Sequence, residues 1–136
     1  MEGIFWIYKD KKKTEWFWSE GCNMMIQLEE LIEHFNSTFN QNILTGEPEF
    51  ILTAEQIEFL IEGINLIVDQ KLTTFEEIEI KSDIFHKLTH RNKSYKFYYK
   101  AVKEHSNIAR LIRFSAYLDR ALKGNHKLAC SGINNY

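Results

Sequence analysis

Ser94–Lys123 reads SYKFYYKAVKEHSNIARLIRFSAYLDRALK. At about 100° per residue, Phe97, Ala101, Ile108, Leu111, Ile112, Ser115, Leu118 and Leu122 fall on one broad side of a helix. Tyr98, Val102, Ala109 and Ala116 widen that side. Lys96, Lys100, Lys103, Asn107 and Arg110 fall opposite, close to Phe114 and Tyr117. An apolar stripe wider than a coiled-coil seam calls for more than one packing neighbour. The expectation is one long helix, or two in line with a kink where Ser106 or Asn107 caps the second.

Upstream, Thr53 and Gln56 form the Thr-x-x-Gln pattern of a capping box, with Leu52 placed as a hydrophobic staple. They open a helix over Thr53–Asp69 with Ile57, Leu60, Ile61, Ile64, Ile67 and Val68 inward. Glu55, Glu58, Glu62, Asn65 and Asp69 lie on its other side, with no Lys or Arg spaced to pair with them. Asn23–Phe39 has the same period through Met25, Leu28, Leu31, Ile32, Phe35 and Phe39, and leaves Glu29 and Glu33 on one flank.

Before these helices, Gly3–Tyr8 and Thr14–Ser19 read as a β-hairpin around the polar link Lys9–Lys13. Trp16 and Trp18 share one face of the second strand, and Phe17 has the other. A lone hairpin is marginal and must lie on helices or gain a third strand. Asp83–Thr89 is expected to form a short helix, and Thr73–Lys81 fits either helix or strand. Gly124 is the expected C-cap of the long helix. The fold class that follows is mainly α (α+β), an N-terminal β-hairpin packed on a bundle of about four helices. Residues 1–124 would form one domain and 125–136 a loosely held tail.

With 136 residues the chain is long enough for a core without staples. Cys22 and Cys130 give no disulfide framework. No apolar run reaches membrane-spanning length, and the charges of MEGIFWIYKDKKK follow its apolar run, the reverse of a signal peptide. A reducing cytoplasm is the expected setting. The net charge of −2 hides a split: residues 1–80 hold 16 acidic and 5 basic side chains, a net of −11, and residues 81–136 hold 3 and 12, a net of +9.

Chemistry-bearing motifs are sparse. His86 and His90 stand i,i+4, which on a helix would put two imidazoles on one side, but Lys87 occupies the place of the glutamate in His-Glu-x-x-His. No cysteine is spaced to join them, so no metal or other cofactor is expected. Cys22 precedes an apolar run that favours packing over thiolate chemistry. Glycine-rich phosphate loops are absent.

Three readings of function remain. The first is a non-enzymatic protein-binding module that meets a basic partner through Glu29, Glu33, Glu58, Glu62 and Asp69, with Trp16 and Trp18 as aromatic anchors. In size, acidity and missing catalytic motifs the chain resembles, in general type, the small immunity proteins that bacteria keep against toxin domains. The resemblance carries nothing to individual residues. The second is a nucleic-acid-binding accessory protein using the basic strip Lys96, Lys100, Lys103 and Arg110, extended by Arg91 and Lys93, with Phe114 and Tyr117 for stacking. The third is a small metal-dependent hydrolase through His86 and His90.

Overall fold

A computed structural model describes residues 3–18, 24–44 and 49–132. Strands β1 (Gly3–Lys9) and β2 (Lys12–Trp18) form the expected hairpin. They are followed by α1 (Met24–Phe39), β3 (Phe50–Leu52) and α2 (Ala54–Leu72). Then come β4 (His86–His90), β5 (Lys93–Phe97), α3 (Lys103–Lys123) and β6 (Lys127–Gly132). One antiparallel sheet has the order β2-β1-β6-β3, and β4 and β5 pair as a separate two-stranded ribbon.

The N-terminal hairpin packed on helices is present, and among the described residues three helices rather than four make the helical core. Both hairpins turn through two residues with positive φ, Asp10 and Lys11 at 52° and 66°, and Arg91 and Asn92 at 48° and 66°. Such mirror-image turns match the right-handed twist of the flanking strands. The second turn corrects two expectations. Asp83–Thr89 is not helical: its second half is β4. The long helix begins at Lys103, because Lys93–Phe97 pairs with β4 as β5. In the ribbon Leu88 and Tyr95 sit opposite each other, half-buried, while Lys87 and Lys96 sit opposite each other in solvent. That period of two overrides the helical one.

The chain end is also corrected. Residues 127–132, expected in a loose tail, form β6, which pairs with β1 on one side and β3 on the other. Leu128, Ala129 and Cys130 are fully buried. The strand fills the place beside β1 that a lone hairpin leaves open.

α3 runs unbroken through Ser106 and Asn107 and is the element against which the rest is packed. One side meets the sheet: the Phe114 ring lies 4.9 Å from Phe5 and 4.8 Å from Phe17, and Tyr117 lies 5.4 Å from Phe17. Another side meets α2, where Ser115 donates to Asn65 Oδ1 at 2.8 Å. Phe114 and Tyr117 are therefore core residues rather than neighbours of an exposed basic strip.

α2 starts as its capping box requires: Gln56 N–H donates to Thr53 Oγ1 at 3.2 Å and Thr53 N–H to Gln56 Oε1 at 2.8 Å. It runs three residues beyond Asp69 to Leu72. α1 crosses it at Gly63, where any Cβ would collide with the Leu31 side chain. Among the described residues, no helix is long and apolar enough to cross a membrane.

His105 locks the start of α3. It is buried; its Nδ1 accepts the Tyr98 N–H at 3.0 Å and the ring donates to the Glu76 carbonyl. Burial holds its pKa below the ordinary histidine value. The unfolded state therefore takes up a proton first as pH falls. The contribution of His105 is full above about pH 6.5 and declines as pH falls below it. Thermal melts between pH 8 and 5 should show this loss, and a His105→Gln variant, less stable throughout, should lack that component. Parallel pH profiles for the two proteins would contradict it.

Candidate functional site

The acidic side of α2 is where the two oppositely charged halves of the chain meet. The tight turn between β4 and β5 brings Arg91 over α2. Its Nε donates to Asp69 at 2.9 and 3.0 Å, and its Nη2 lies 3.5 Å from Glu62. His90, buried beside it, donates from Nε2 to Asp69 Oδ1 at 2.6 Å. The Arg91 guanidinium, and after it His90, hold the Asp69 carboxyl below the usual carboxylate range. A cation for Asp69 and Glu62 thus comes from 22 and 29 residues away, which no i,i+4 inspection of α2 detects.

Next to this junction lies a pocket of about 270 Å³ where Asn65, Thr89, His90, Arg91, Ser115 and Asp119 meet Ile61, Ile112 and Ala116. In it Ser115 donates its hydroxyl proton to Asn65 Oδ1 rather than to a base. A larger cleft, about 720 Å³, runs between α1 and α2 past Glu30, His34, Gly63 and Leu66.

The expected site residues are dispersed by the fold. Glu58 and Glu62 are exposed on α2, and Asp69 is partly covered by its two partners. Glu29 and Glu33 are exposed on α1. α1 meets α2 around Gly63, and Glu62 and Asp69 point about 100° and 120° away from that line. The two acidic flanks therefore do not merge across the helix pair. Trp16 is 47% exposed on the sheet face turned away from α3, 5.4 Å from the buried Trp6 ring. The Trp18 side chain lies outside the described residues.

His86 and His90 are both on β4, four residues apart along a strand, a separation of about 13 Å. His86 stacks on Tyr99 at 4.4 Å while His90 binds Asp69, so they cannot share an ion. No group of three or more potential ligands converges among the described residues. Cys130 faces the core, where burial pushes its thiol up to about 12. Arg110 packs over the Phe17 ring at 5.7 Å, and Lys96 is on β5, so the basic strip drawn on one helix is split between β5, α3 and the connection that holds Lys100.

No protein-family model matches this chain, and neither a curated protein nor a solved structure matches it.

Proposed function

We propose that this chain is a non-enzymatic protein-binding module whose exposed acidic side of α2 docks a basic protein. The observation that carries the reading is an exposed row of carboxylates that has few cations of its own. Glu55 and Glu58 are exposed and make no ion pair among the described residues, and they continue into Glu62, whose one cation stands at 3.5 Å. Glu58 and Glu62, one turn apart, cost the helix a few tenths of a kcal/mol, which an opposite field would reverse, while Glu55 is favoured where it stands by the helix N-terminus. The net of −11 over residues 1–80 would speed encounter with a positive surface.

A basic domain that handles nucleic acid offers such a surface. An immunity-type inhibitor, covering a toxin or nuclease domain, is the finer reading. Small size, charge and the absence of phosphate loops support it.

Affinity capture from source cells tests the proposal with wild type and a Glu55→Gln/Glu58→Lys variant side by side. Wild type should retain a basic protein that the variant loses. Equal recovery by both would rule this face out as the docking surface.

A further inference from the structure

The ribbon β4–β5 carries a second, independent surface of opposite sign. Residues 84–100 contain five Lys and Arg and no Asp or Glu, although Asp83 adjoins them. Arg91 is engaged by Asp69 and Glu62. Lys87, Lys93, Lys96 and Lys100 are exposed and make no ion pair among the described residues.

Lys87 and Lys96 are direct cross-strand partners on the solvent face, an arrangement that weakens a sheet unless an anion lies between the two ammonium groups. A ring lies beside them: Phe85 is 43% exposed, with the Lys96 ammonium 4.8 Å from its centroid.

We propose that this ribbon binds single-stranded nucleic acid. Lys87, Lys96 and Lys100 hold successive phosphates, and Phe85 stacks on a base once a phosphate draws the Lys96 ammonium off the ring. Cations alone would suit any polyanion. An exposed ring set among them favours unpaired bases over an acidic protein or a duplex, whose bases are already stacked. A ribbon of five-residue strands, about 17 Å long, spans a few nucleotides.

The test is fluorescence anisotropy of the whole chain with a labelled oligo-uridine at several salt concentrations. Duplex RNA, heparin and polyglutamate serve as competitors. Binding should be saturable, with a log–log salt slope of about −2 to −3 for three to four phosphate contacts. Lys87→Ala/Lys96→Ala should weaken it on the order of tenfold and flatten the slope by about 1.4, while keeping the melting temperature or raising it. Phe85→Ala should weaken oligo-uridine roughly tenfold and leave heparin unchanged.

The proposal is overturned by no saturable binding at low salt, or by binding indifferent to the lysine variant. It is also overturned if Phe85→Ala has no effect, or if polyglutamate or duplex competes as well as oligo-uridine. The Glu55→Gln/Glu58→Lys variant should bind oligo-uridine no more than a few-fold differently, since the field of two distant charges is screened. Failure here therefore leaves the reading of α2 untouched, and the converse also holds.

Discussion

A chain ended after His126 is expected not to fold. The truncation removes β6, which lies between β1 and β3 in the sheet. It takes away the partner of Gly3–Tyr8 on one side and of Phe50–Leu52 on the other. The backbone groups of both strands would be left to water, in a sheet reduced to a hairpin. Leu128 and Cys130 also leave the core they share with Phe5, Leu52 and Phe114. Burial of two such side chains is worth about 3–5 kcal/mol, a large part of the total stability of a domain this size. Circular dichroism melts and amide proton dispersion check the outcome. A cooperative melt near the wild-type temperature would mean that the sheet does not depend on β6. An Ala129→Pro substitution, which removes one ladder donor from a central strand, should fail in the same direction with the chain length intact.

Phe114→Ala is expected to cost about 3–5 kcal/mol, the range for emptying a buried aromatic site. Phe114 is 2% exposed and stacks on Phe17, with Phe5 edge-on to it. Its loss would open a cavity between α3 and the sheet where three rings now meet. Arg113, the preceding residue, is exposed and has only the Tyr99 ring at 4.7 Å to lose, so as the control Arg113→Ala should change stability by less than about 1 kcal/mol. Urea titrations of the three proteins measure the difference. A Phe114→Ala loss no larger than that of the control would place the ring in solvent, on the basic side of a simple helical wheel.

The contrast between α2 and α3 explains what the sequence made legible. α2 announces itself locally: the cap at Thr53 and Gln56 fixes its start, and a single apolar face points at the core. α3 is covered on two sides, so its apolar positions occupy most of the circumference and give no sharp phase. Phe97 and Ala101 fit that blurred wheel, although the helix itself starts at Lys103. The competing signal was the alternation of Leu88, Tyr95 and Phe97 with Lys87, Ser94 and Lys96 about the Arg91-Asn92 turn. It was weak because Arg-Asn lacks the glycine that usually marks such a turn.

β6 was hidden for another reason. Leu128, Ala129 and Cys130 are buried on both faces of the sheet, so no alternation appears, and the run is too short to signal alone. At the candidate site, the glutamates of α2 were legible as an outward face. The Arg91 and His90 that answer Asp69 were not, because tertiary structure alone brings the ribbon turn to α2.

The central claim, that the acidic side of α2 docks a basic protein, is tested most directly by association kinetics. Surface plasmon resonance with the captured partner at two salt concentrations gives the rate for wild type and for Glu55→Gln/Glu58→Lys. The account predicts a variant that melts within a few degrees of wild type, associates more slowly by about tenfold at low salt, and is less salt-dependent than wild type. An unchanged association rate with unchanged salt dependence, in a folded variant, would contradict it.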